Sequence, residues 1–210
     1  MKKVIITVAL ILGVGLMHLN AQEESEVKKT NFGIKVEANM SNFIIDDMTG
    51  WKSNFGAGAS MGGFVRFDIV KFFAIQTEML FHFKSSDFKI DGIKNDFNFW
   101  GVEVPVYANF QFVTKKNHRG YIGIGPYMQA GFSSKNRTLN ENYYKNFIKK
   151  GDSFMQIGDV GCGVLLGYEF GFGLQINASY KYGFLNQLNV PQEDEFMRNQ
   201  SISFGLGFRF

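Results

Sequence analysis

The chain of 210 residues has a single cysteine, Cys162, only three prolines, and no apolar run beyond residue 17 long enough to cross a membrane as a helix. One thiol excludes an internal disulfide framework, so something other than cross-links must hold the fold. Charge of one sign is also missing, with 22 Lys and Arg against 19 Asp and Glu. Such a balance gives no electrostatic footprint for a nucleic-acid partner. Histidines number three, and after the N-terminal stretch only His82 and His118 remain, without metal-ligand spacing. The serines lack a nucleophile context. Gly161-x-Gly163-x-x-x-Gly167 misses the dinucleotide spacing and falls inside a strand pattern. No catalytic centre, metal site or cofactor is therefore expected, and the chain does not read as an enzyme.

What is present begins with Lys2 and Lys3, an uncharged apolar run over 4–17, and the short polar stretch His18-Leu19-Asn20-Ala21-Gln22. This is the layout of a secretory signal peptide, with small Ala21 as the last residue before cleavage. The run is shorter than the ~20 residues a stable membrane helix needs. The expected organisation is a leader at 1–21, a short segment at 22–30 and one domain at 31–210. Without Lys2 and Lys3 the 22 basic residues become 20 against 19 acidic, a net +1.

From residue 31 the pattern has period two. Phe32, Ile34, Val36, Ala38 and Met40 are apolar, whereas Lys35, Glu37, Asn39 and Ser41 are polar. Such alternation is the signature of a strand with two unlike faces. It recurs over 55–67, 73–84, 97–111, 120–132, 159–170, 171–185 and 200–210, giving eight strands. The polar face carries Arg66, Glu78, Glu103, Asp159, Glu169, Lys181 and Arg209 among many glycines. Connections at 43–54, 85–96, 133–158 and 186–199 are long, and those at 68–72, 112–119 and 170–171 are short. Short turns on one side with long loops on the other describe an all-β, eight-stranded antiparallel up-and-down transmembrane β-barrel, with both termini on the periplasmic side of a bacterial outer membrane.

A soluble lipocalin-like barrel with an apolar cavity is the competing arrangement. Three features favour lipid outside. The polar face is glycine-rich and sparse in charge for a water-facing surface. In the seventh run Phe172, Tyr180, Tyr182 and Phe184 bracket Leu174, Ile176 and Ala178, and in the fourth Trp100 and Phe110 bracket valines and Ala108. Rings around an aliphatic band describe the two aromatic girdles of a membrane barrel. The third feature is a last alternating run that ends on Phe210.

The order of several short motifs resembles the PorT-like outer-membrane β-barrel domain proteins, small exported barrels of the OmpA/OmpX general shape. They are Gly33-Ile34-Lys35-Val36-Glu37-Ala38-Asn39-Met40-Ser41-Asn42-Phe43, Glu103-Val104-Pro105, Gly125-Pro126-Tyr127, Asp159-Val160-Gly161, Gly167-Tyr168-Glu169-Phe170, Tyr180-Lys181-Tyr182-Gly183-Phe184 and Phe210. The resemblance implies an integral outer-membrane protein acting through its extracellular loops or as an envelope component; most members of that family have no known function, and its name-giving member is linked to a secretion system.

Eight strands enclose an interior that side chains can fill. Lys35, Glu37, Arg66, Glu78, Glu103, Lys181 and Arg209 are expected to form a polar lumen network of ion pairs, the alternative being a narrow porin-like channel. Pro105 and Pro126, on neighbouring strands, each remove a ladder hydrogen bond; a bulge or ladder break is expected there, with Tyr127 or Glu103 filling the gap. The third long connection carries Lys135, Arg137, Lys145, Lys149 and Lys150, and the fourth Glu193-Asp194-Glu195. The basic set is a candidate contact surface for lipopolysaccharide phosphates or an acidic envelope partner, besides the outer-membrane lipid around the barrel.

Overall fold

Strands with one apolar and one polar face need a closed sheet if both faces are to be satisfied without a free edge. The computed structural model describes residues 29–46, 51–90, 93–114, 116–136, 156–187 and 196–210. Its strands are β1 (Lys29–Asp46), β2 (Trp51–Val70), β3 (Phe73–Ile90), β4 (Ile93–Val113), β5 (Arg119–Asn136), β6 (Gly158–Glu169), β7 (Leu174–Gly183) and β8 (Phe196–Arg209). Each pairs antiparallel with the next, and β1 pairs with β8 from Gly33 opposite Arg209 to Asp46 opposite Phe196, closing the barrel. The expected leader and the segment up to residue 28 lie outside the described residues.

The two faces sort as the alternation predicts. Phe32, Ile34 and Val36 are each more than half exposed, while Asn31, Lys35 and Glu37 on the same strand are at most 4% exposed. The apolar face therefore points outward and the charged face inward, the reverse of a soluble barrel. Sidedness of this kind suits lipid outside, because the interior then holds the buried, paired charges of the wall.

In two of the expected long loops, 43–54 and 85–96, the described residues are strand instead. β1 continues to Asp46 and β2 begins at Trp51, and β3 runs to Ile90, which pairs with Ile93 of β4. Alternation fades over 85–96, and backbone pairing of β3 with both β2 and β4 carries the strand there instead. Local bonds hold these extensions, with the Ser85 hydroxyl donating to the Ala57 carbonyl at 2.6 Å and the Phe43 N–H donating to Ser53 Oγ at 3.0 Å.

The seventh strand is shorter than the expected 171–185. Its turn spans 170–173, where the Gly173 N–H donates to the Phe170 carbonyl at 2.8 Å and Gly173 takes φ +102°, a conformation that favours glycine. Phe172 and Phe184 thus flank β7 rather than belong to it, and both remain exposed.

The β4/β5 ladder supports half of the expectation for the prolines. Pro105 lies opposite Tyr127, and pairing resumes at Ala108 opposite Ile124, skipping Val106 and Tyr107. The register is the same on both sides of the gap, so the ladder breaks without a bulge. Neither Tyr127 nor Glu103 fills the gap, since both side chains are engaged elsewhere in the lumen. The irregularity of this strand pair sits instead at Trp100 and Gly101.

Candidate functional site

Inward side chains from all eight strands meet in the lumen, and large residues are accommodated by glycine opposite them. A Cβ on Gly33 would overlap the Phe64 ring, one on Gly167 the Tyr121 ring, and one on Gly161 the Tyr127 ring. The glycine-rich polar face therefore makes room for inward aromatics in a narrow barrel. Tyr107, Tyr121 and Leu165 form a buried cluster across the middle, none more than 4% exposed. Parity places all three on the polar face of their strands, but the alternation does not say that they meet across the lumen.

Around this cluster the charges pair in tiers. At the end that carries the described termini, Asp68 accepts from Arg119 at 2.6 and 3.2 Å, from Asn31 at 2.9 Å and from Gln111 at 3.2 Å. Beside it, Glu169 accepts from Arg66 at 2.7 Å, from Arg209 Nε at 2.6 Å and from Gln175 at 2.7 Å. Deeper, the Lys35 ammonium donates to both oxygens of Glu78 at 3.0 Å, lies 2.8 Å from Glu37, and shares Glu78 with Gln76 at 2.7 Å. Glu103 then takes Lys84 at 3.0 Å and Lys181. Nearest the opposite end, Asp159 accepts from the Tyr127 hydroxyl at 2.9 Å.

All seven residues expected in the lumen network face inward, and each sits in an ion pair with another lumen residue. Five further charged residues complete it: Asp68, Lys84, Arg119, Asp159 and Glu169. Asp159 and Glu169 were already on the polar face of the alternation, and Lys84 shares the parity of Glu78 at the end of the 73–84 run. Asp68 and Arg119 fall where the sequence reads as short connections, so their inward orientation carried no periodic signal. Among the described lumen residues the sum is six cations (Lys35, Arg66, Lys84, Arg119, Lys181, Arg209) and six carboxylates (Glu37, Asp68, Glu78, Glu103, Asp159, Glu169). Buried charges are tolerated when paired and hydrogen-bonded, and here the interior as a whole is neutral. Near that end, a cavity bounded by Ser41, Lys84, Gln129, Gln187 and Asn199 among others holds only about 10 Å³, room for about one water.

The candidate loop surface lies almost wholly outside the described residues. Arg137, Lys145, Lys149 and Lys150 lie outside the described residues, as do Glu193, Asp194 and Glu195; Lys135 is placed only by its backbone, opposite Asn98. His82 is buried in the lumen and His118 stacks near Tyr168 at the other end, so the two histidines do not meet. Among the described residues no group of three or more His, Cys, Asp or Glu is arranged to hold a metal ion.

An inward neutral network within an outward apolar belt is what a membrane-spanning barrel requires, and the family described as outer membrane protein beta-barrel domain matches residues 20–189. The chain belongs to that family. As a member of the outer membrane protein beta-barrel domain family it is a small outer-membrane protein, and its belt of exposed Phe, Leu, Ile and Val is the lipid-facing surface. No curated protein matches the sequence. Among solved structures the chain is similar to the outer membrane protein OprG from Pseudomonas aeruginosa, at 14% identity and a TM-score of 0.56 over 88% of this chain and 97% of that one. It is also similar to Neisserial surface protein A, at 17% identity and a TM-score of 0.47 over 87% and 100%. The likeness to OprG shows a shared barrel fold.

Proposed function

We propose that this barrel is closed to solutes and serves as a scaffold in the outer membrane, acting through its outer connections or as a structural component of an envelope or secretion assembly of the PorT-like kind. The observation that carries this reading is the neutral, paired interior plugged by Tyr107, Tyr121 and Leu165. A conducting pore would need a hydrated path, and the side chains fill the narrow section of an eight-stranded wall. Both termini are assigned to the periplasm because the short turns share their end of the barrel. No catalytic step is assigned to the chain.

On this reading the basic stretch holding Lys135, Arg137, Lys145, Lys149 and Lys150 faces outward and contacts lipopolysaccharide phosphates or an acidic envelope protein. The closure is tested by reconstituting the protein in planar bilayers. The expected result is no stable unitary conductance, and a reproducible channel would refute the proposal. The surface assignment is tested by binding to acidic glycolipid, which should fall when the five cations are replaced by Gln. Cross-linking and recovery from membranes distinguish a secretion-associated scaffold from a barrel that works alone.

A further inference from the structure

At the end of the barrel that carries the described termini, a cavity of about 580 Å³ runs over the rim between the β2/β3 and β4/β5 turns. Its inner side is lumen, with Asn31, Asp68, Gln111 and Arg119. Its outer side belongs to the apolar belt, since Phe72 and Phe112 are 64% and 79% exposed. The Gln111 N–H donates to the Phe72 carbonyl at 2.9 Å, which fixes this lip. Below it the Phe73 and Phe110 rings meet edge to face at 5.6 Å and carry the apolar surface into the wall. The lining holds four cations, Lys29, Lys71, Arg119 and Arg209, against the one carboxylate of Asp68. Arg119 is committed to Asp68 and Arg209 to Glu169. Lys29 and Lys71 are exposed and have no acidic partner among the described residues. Arg119 Nε is buried and has no hydrogen-bond partner among them either.

A cationic cradle beside an apolar lip fits an amphiphile with an anionic head. The belt is the lipid-facing surface of a member of this family, and the cavity is continuous with it. We propose that this mouth binds an anionic phospholipid of the adjacent leaflet, its phosphate against Lys29 and Lys71 and an acyl chain along Phe112. A soluble anion would use the lysines and leave both phenylalanines without a role. Asp68 already accepts from Arg119, Asn31 and Gln111, so the lining offers no unengaged carboxylate to a lipid ammonium group. The site therefore selects a net negative headgroup over a zwitterionic one. Aromatic rings hold a membrane protein at headgroup depth and basic residues draw anionic lipid; here the two converge on one cavity. The contact is independent of whether the lumen conducts and of which side of the membrane this end faces.

The test uses the full chain in phosphatidylcholine vesicles and reads tryptophan quenching by lipids brominated on the acyl chain. The native tryptophans are Trp51 and Trp100. Changing both to Phe and adding Phe112→Trp leaves one fluorophore, on the lip of the cavity. Trp51→Phe alone leaves Trp100, exposed on the belt further along β4, as the control. Folding of each variant is checked by heat-modifiable migration on SDS gels. At low mole fraction, brominated phosphatidylglycerol should quench the tryptophan at 112 about fivefold more effectively than brominated phosphatidylcholine, the scale expected for a lysine beside an anionic headgroup. Brominated phosphatidylethanolamine should do no better than phosphatidylcholine, and Trp100 should show no preference. Lys29→Gln with Lys71→Gln should abolish the preference, whereas Lys52→Gln, exposed near the start of β2, should leave it. Equal quenching by the three lipids at 112, the same preference at Trp100, or a preference that survives the double replacement would overturn the proposal. Loss of the preference in millimolar inorganic phosphate at constant ionic strength would assign the mouth to a soluble anion and overturn it too.

Discussion

Glu103 is the carboxylate on which the lumen most depends, because it alone neutralises two buried ammonium groups, Lys84 at 3.0 Å and Lys181. Glu103→Gln keeps the shape and removes the charge. At 3 Å and an effective dielectric of about 20, each attraction is worth about 5 kcal/mol before desolvation. Lys84 retains a hydrogen bond to Gln129 at 2.7 Å, whereas Lys181 has no other hydrogen-bond acceptor among the described residues. Breaking a buried pair by removing one partner costs about 3–5 kcal/mol, most of it the stranded charge. The loss should appear as a lower midpoint in urea unfolding from lipid vesicles, followed by the gel shift between folded and unfolded barrel. Lys181→Met on the same background should restore part of it, giving a coupling of about 1–3 kcal/mol between the two sites. A Glu103→Gln protein within about 1 kcal/mol of the parent, or strictly additive effects, would refute the idea that paired charges hold the interior.

Two glycines on β5 make a matched test of wall spacing. A Cβ on Gly125 would run into the Val106 carbonyl, whereas one on Gly120 meets nothing within 4 Å. Gly125→Ala should therefore destabilise the barrel by about 2 kcal/mol or more and Gly120→Ala by less than about 0.5 kcal/mol, as read from the same urea titration. On the lipid side, Ile124→Lys should cost about 2–4 kcal/mol and Phe172→Lys, at the rim, less than about 1 kcal/mol. Similar costs at the two sites would remove the assigned membrane depth.

The sheet was legible because each wall strand has to satisfy lipid and lumen at once, a demand that writes period two into the residues from Phe32 to Phe208. Legibility ended where that demand ends. Beyond Lys84 the alternation of β3 and β4 fades, and strand over 85–90 and 93–96 reads as loop. Only Asp91 and Gly92 separate Ile90 from Ile93, and this dipeptide is the local hairpin signal that could have marked the turn. For the lumen, parity identifies Lys35, Glu78, Glu103 and Lys181 as inward, but not which charge meets which. Partners are set by strand tilt and stagger, which place Lys35 of β1 beside Glu78 of β3, two strands away. Asp68 and Arg119 escaped because they sit at strand ends, where period two has too few residues to register.

The pairs that cross the lumen also constrain how the barrel can assemble. Arg66 on β2 and Glu169 on β6 are 103 residues apart in the chain, and Glu103 on β4 and Lys181 on β7 are 78 apart. No single hairpin brings these partners together: the first pair spans β2 through β6 and the second β4 through β7, and both meet only when the sheet is rolled across the lumen. A partly rolled sheet entering lipid would carry their charges unmatched. Insertion is therefore coupled to closure: the seam between β1 and β8 and the inner neutralisation must form nearly together, which makes assembly a single cooperative event.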